Sequence, residues 1–153
     1  EEAAAWQKLH AGFERGKRAT NGDSLAEATR SGWGAIMRIY WSGAAMFLKA
    51  DARLRMLSGG AQSLDTVLSA FHACCLDASR SWRGRELFAA FDRISGYAIF
   101  TDLYDAHVPD GEFPDLAETY AQLGLVPGTK TIELDPEAPQ SKVRVEIMQG
   151  PSP

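Results

Sequence analysis

Three histidines, two cysteines, four tyrosines and 20 carboxylates are the groups in this sequence that could do chemistry. Their spacing decides what they could do. The sequence contains no H-E-x-x-H, no G-x-S-x-G and no phosphate-cradling loop. His10, His72 and His107 lie far apart, and none has a second histidine three or four residues away. They read as surface or core histidines. Cys74 and Cys75 are adjacent. Neighbouring cysteines have the wrong Cα spacing and side-chain directions for a bridge, and metal pairs want a C-x-x-C spacing. They are expected as two small, buried or half-buried residues on a helix. Asp102 and Asp105 are two carboxylates among many. Asp105 and His107, two residues apart on a helix, point in different directions and are not expected to act together. Trp33, Tyr40, Trp41 and Phe47 concentrate aromatic surface, which is expected as core packing. The chain therefore lacks a self-contained metal or nucleophile site.

The bulk composition agrees with a folded domain. With 153 residues, 45% apolar and 24% charged, the chain can build one real core and is not a disordered tail. The net charge of −4 and the interleaving of acids with bases leave no cationic stripe, so no nucleic-acid partner is expected. Uncharged runs such as Ile39 to Leu48 are too short to span a bilayer, and no membrane association is expected. Glu1-Glu2 has the wrong sign for the start of a secretory leader. The absence of an initiator methionine leads us to expect a piece of a longer polypeptide.

The elements that must position any site are mostly helices. Trp6, Leu9 and Phe13 recur at helical spacing over Glu1 to about Arg15, with acids at the start where the dipole favours them. Ser24-Leu25-Ala26-Glu27 is a capping box opening a short helix. Trp33 to Leu57 is the longest candidate. It is almost wholly apolar up to Lys49, which predicts a buried central helix. Gly43 within it suggests close approach of another element. Ser58-Gly59-Gly60 ends it, and Ser63 caps a helix carrying Leu64, Val67, Leu68 and Phe71. Further helices are expected over Arg83 to Ser95, around Ile99 to Tyr104, and over Asp115 to Leu123, with Gly96 and Gly124 as stops. Thr131 to Leu134 and Val143 to Ile147 both alternate, with a proline-containing turn between them, and predict a C-terminal β-hairpin. The expected fold is mainly α, with a helical subdomain over 1–126 and a C-terminal extension over 127–153 holding the hairpin.

The order of several short segments carries a resemblance. Ser24-Leu25-Ala26-Glu27-Ala28 comes first. Tyr40-Trp41-Ser42-Gly43-Ala44 then opens the long helix, which runs into Asp51-Ala52-Arg53-Leu54-Arg55. Ser58-Gly59-Gly60, Ser63-Leu64-Asp65, Phe91-Asp92, Leu103-Tyr104-Asp105, Phe113-Pro114 and Leu123-Gly124-Leu125 follow. Over residues 5 to 126 this set resembles the C-terminal part of the glycyl-aminopeptidase-like zinc metallopeptidases, gluzincins that often carry a PDZ domain. The resemblance implies the helical C-terminal subdomain of a gluzincin catalytic domain, forming one wall of an active-site cleft. It implies zinc in the parent protein, held by motifs upstream of this chain, so that the chain alone is inactive. Its partners would be the upstream half of the same polypeptide and, in the parent, a peptide substrate. Tyr40 matches the tyrosine of a Y-x-K-G-A segment, which in related gluzincins points at the zinc site. Its phenol would stabilise the oxyanion formed on the scissile carbonyl. Ser42 departs from the family pattern, which has lysine there.

Two other readings stand beside this one. The chain can be a non-catalytic gluzincin-like scaffold, which Ser42 favours, or a stand-alone helical interaction domain. A subdomain with a missing half should expose apolar surface and can self-associate through it. A stand-alone domain should be closed by a polar surface.

Overall fold

A computed structural model describes residues 1–77 and 79–150. The described residues form eight α-helices and one two-stranded antiparallel sheet. Helices α1 (Glu2–Arg18), α2 (Leu25–Ala28) and α3 (Ile36–Ser58) come first, with a 3-10 turn over Gly32–Ala35 leading into α3. Helices α4 (Leu64–Cys75), α5 (Gly84–Ser95), α6 (Phe100–His107) and α7 (Ala117–Leu123) follow. Strands β1 (Leu125–Pro127) and β2 (Ile132–Leu134) and helix α8 (Ser141–Gln149) close the chain.

Local chemistry sets the boundaries. Ser24 accepts from the Glu27 N–H, and the Glu27 carboxylate accepts from the Ser24 N–H, completing the capping box. Ser63 and Thr66 make the same reciprocal pair at the start of α4. Helices α3, α5 and α7 each end on a left-handed glycine, Gly59, Gly96 and Gly124. At Gly124 (φ 71°) a Cβ would also collide with the Asp135 carbonyl, so both conformation and space demand glycine there.

Helix α3 divides the core. Ala45, Leu48 and Ala52 face one cluster, with Trp6 and Phe13 of α1, Leu123, Leu125, Ile132 and Val143. Met46, Ala50 and Leu54 face a second, with Val67, Phe71, Phe91, Phe100 and Leu103. The α1–α3 contact is close because Gly12 and Gly16 receive the Trp41 side chain. A Cβ at Gly12 would overlap its six-membered ring. The reason expected of Gly43 does not hold, since a Cβ there would meet nothing within 4 Å.

The central helix and the tail both differ from expectation. Helix α3 is buried from Ala44 onward only on average, while its first two turns expose Ile36, Met37 and Tyr40. The segment expected to start it, Trp33 to Ala35, is a 3-10 turn. The hairpin forms, but between β1 and β2, with Leu125 opposite Leu134 and Pro127 opposite Ile132. Val143 to Ile147, expected as its second strand, lies in α8. Val143 and Ile147, one helical turn apart, both pack on the first cluster. Val145 between them is exposed. Buried Arg144 secures the tail by donating to the carbonyls of Leu123 and Asp135, each at 2.9 Å, and to Glu2 at 2.9 Å. Among the described residues no helix is long and apolar enough to cross a membrane.

Candidate functional site

Tyr40 stands on the second turn of α3, and its ring is 65% exposed. It meets Trp41 edge to face at 5.0 Å between centroids. Trp41 is fixed in turn by Phe13 at 5.9 Å and by the glycine notch of α1. The Tyr40 phenol is thus carried on a rigid base while its hydroxyl faces outward. Trp33 is 89% exposed, and Ile36 and Met37 are half exposed. Positions 36, 37 and 40 fall on one stripe of α3, and Trp33 lies in the 3-10 turn that leads into it. Aromatic residues expected as core therefore split: Trp41 and Phe47 pack on the two clusters, whereas Trp33 and Tyr40 present apolar surface to solvent. Ser42 is buried at 2% exposure, on the opposite side of the helix from Tyr40.

The histidines stay separate, and His10 and His107 each acquire a partner that spacing could not show. His10 Nδ1 lies 3.2 Å from the Tyr120 hydroxyl, 110 residues away in sequence. Burial, reinforced by the Glu14 charge, pushes the Tyr120 phenol well above the usual tyrosine range. Tyr120 is therefore neutral at neutral pH, and the His10 tautomer sets which of the two donates. This pair sits in a groove of about 460 Å³ between α1 and α7, lined also by Phe13, Glu14, Phe113 and Leu116. His107 lies on α6, with Lys49 Nζ 3.4 Å from its Nε2. Burial first, then the Lys49 charge, lowers the His107 pKa. Burial likewise lowers that of Lys49, which donates to the Asp115 carbonyl at 2.8 Å. Asp105 turns away from His107 and forms a two-pronged ion pair with Arg85, at 2.8 and 2.7 Å. The Arg85 guanidinium holds the Asp105 carboxyl below its ordinary range. Asp102 and Asp105 make no joint site.

The cysteines correct an expectation. Cys74 and Cys75 are joined by a disulfide across a Cα–Cα distance of 3.7 Å. They occupy the last two positions of α4, and Leu76 leaves helical geometry immediately afterwards (φ −82°, ψ 88°). At a helix end the backbone is free to let two adjacent side chains converge. Cys75 follows His72 by three residues, a metal-compatible spacing on a helix, but its sulfur is committed to Cys74. Among the described residues no group of three or more His, Cys, Asp or Glu could hold a metal ion.

Comparison with family models, with curated proteins and with solved structures finds no match to this chain.

Proposed function

We propose that this chain is a helical subdomain that docks against another body of its own polypeptide, as the wall of a peptidase cleft of the gluzincin type. The observation that carries the reading is the apolar surface that Trp33, Ile36, Met37 and Tyr40, close together in sequence, leave exposed around the start of α3. The order of sequence segments from Ser24 to Leu125 supplies the class. In this reading Tyr40 is the group the subdomain contributes. Its phenol, held on the Trp41 base, donates a hydrogen bond to the oxygen of a peptide carbonyl as negative charge develops there. The zinc ligands belong to the docked body, and this chain supplies no metal step.

One observation favours the non-catalytic scaffold. Ser42 occupies the position of the family lysine and is buried, so that position offers no charge to the cleft.

The test is the complete polypeptide loaded with zinc and assayed on short peptides with an N-terminal glycine or alanine. Tyr40→Phe is expected to lower kcat by about 10² to 10³, the usual cost of losing one oxyanion donor. An active enzyme indifferent to Tyr40→Phe would sink the assignment of Tyr40. A zinc-free, inert polypeptide would leave the scaffold reading.

A further inference from the structure

The fold gives the Cys74–Cys75 disulfide no bracing task. A bridge stabilises a chain by closing a loop in its unfolded state, and a bond between neighbours closes the shortest loop there is. Adjacent Cα atoms stand about 3.8 Å apart across a trans peptide, short of the roughly 4.4–6.8 Å that disulfides favour. A bond made under that constraint is opened by thiols more readily than an ordinary bridge.

The bond is also within reach. Cys74 is exposed and Cys75 half-buried, and both line a cavity of about 380 Å³ at the end of α4. His72, Asp77, Arg80, Trp82 and Arg93 are among the other wall residues. Arg80 is committed, stacked over the Trp82 ring at 3.7 Å and paired with Glu86. Asp77 Oδ1 accepts from the Ser79 N–H and hydroxyl, at 2.8 and 2.9 Å. Arg93, on α5, is exposed, and among the described residues it makes no ion pair. The dipole at the end of α4 disfavours a thiolate at Cys75, and the Arg93 guanidinium works the other way.

We propose that the Cys74–Cys75 bond is a thiol-exchange site, opened reversibly by small thiols that carry a carboxylate. The incoming thiolate attacks the sulfur of Cys74, the more exposed of the two. The S–S bond breaks, and Cys75 leaves as a thiolate that takes a proton from solvent. A second small thiolate attacks the first at its sulfur, releasing the disulfide dimer of the small thiol and a Cys74 thiolate, which is protonated in turn. Two small thiols are oxidised to one disulfide, and the protein disulfide is reduced to two cysteine thiols. An excess of the dimer runs the same steps backwards. Arg93 attracts the carboxylate of the incoming thiol.

The test incubates the folded chain with mercaptoacetate or β-mercaptoethanol, quenches with iodoacetamide and reads the intact mass over time. Both cysteines are expected to be alkylated after either thiol, and neither without one. The opening rate should rise in proportion to thiol concentration. The chain should melt within about 4 °C with the bond open or closed, because so short a loop adds little stability. Arg93→Ala should slow opening by mercaptoacetate about threefold, the scale of one exposed charge pair, and leave β-mercaptoethanol unaffected. Cys75→Ser, given the disulfide dimer of mercaptoacetate, should capture one mercaptoacetate on Cys74, and faster than Cys74→Ser captures it on Cys75. An opening rate that levels off at the unfolding rate overturns the proposal, because the bond then opens only in the unfolded chain. A larger fall in melting temperature makes the bond a brace and overturns it too. An equal effect of Arg93→Ala on both thiols overturns the carboxylate preference, and faster capture on Cys75 overturns Cys74 as the sulfur attacked.

Discussion

Single side chains hold this fold at points where helix ends would otherwise be unsatisfied. Asp92, on α5, is the clearest case. Its Oδ1 accepts from the N–H groups of Ile99 and Phe100 at 3.0 and 2.7 Å, and its Oδ2 from that of Thr101 at 3.1 Å and from the Thr101 hydroxyl. One carboxylate thus satisfies the orphan donors at the start of α6 from outside that helix. Asp92→Ala is expected to cost about 2 to 3 kcal/mol, the sum of a lost cap and of half-buried donors left unpaired. Asp92→Asn, which keeps acceptor capacity on one atom, should cost less. Chemical denaturation of the two variants checks the order. A cost for Asp92→Ala within about 0.5 kcal/mol of zero would show that α6 needs no such cap. Nothing in the sequence marks Asp92 for this task, because its partners lie seven to nine residues ahead, beyond the spacing of any capping box.

At the scale of elements, much was legible, and the failures share one cause. Both serine caps and all three glycine stops stood in the sequence, because capping is a local event within four residues. The segment Val143 to Ile147 misled because five alternating residues satisfy either period. Positions 143 and 147 share a face in both, while Val145 and Arg144 exchange sides, Val145 being exposed and Arg144 buried in α8. Tertiary contact with Leu125 and Ile132 selects the helix. The two alternatives predict different mutational costs. In a strand, Val143 and Val145 would share one face and be equally sensitive. In α8, Val143 is 7% exposed and Val145 37% exposed. Val143→Asp should therefore destabilise by about 3 kcal/mol or more, while Val145→Asp stays within about 1 kcal/mol. Equal costs in thermal unfolding would restore the strand. The disulfide between Cys74 and Cys75 was hidden for a related reason: the rule against adjacent bridges assumes regular backbone, and the helix ends there.

For the molecule as a whole, the amount of apolar sequence was readable, but not which side of α3 remains open. A helix apolar nearly all round predicts burial on every side. Along Ala45 to Arg55 α1 and the α4–α6 group flank α3 on both sides, whereas in its first two turns the side carrying Ile36, Met37 and Tyr40 stays exposed while Arg38, on another side, is buried. The His10–Tyr120 and Lys49–His107 contacts were likewise unreadable, since each joins residues at least 58 apart. The open stripe makes the chain's solution behaviour a test of its status as a subdomain. Ile36 and Met37, each 42% exposed, with the more exposed Trp33 and Tyr40 near them in sequence, are the apolar surface through which the separated chain is expected to associate. Sedimentation over a range of concentrations should show reversible self-association. Replacing both residues, Ile36→Glu with Met37→Glu, should return the chain to a monomer without lowering its unfolding temperature, because neither side chain belongs to a core cluster. A wild-type chain that stays monomeric at every concentration, with Trp33 fluorescence indifferent to dilution, would favour a stand-alone domain whose exposed aromatic residues await no second body.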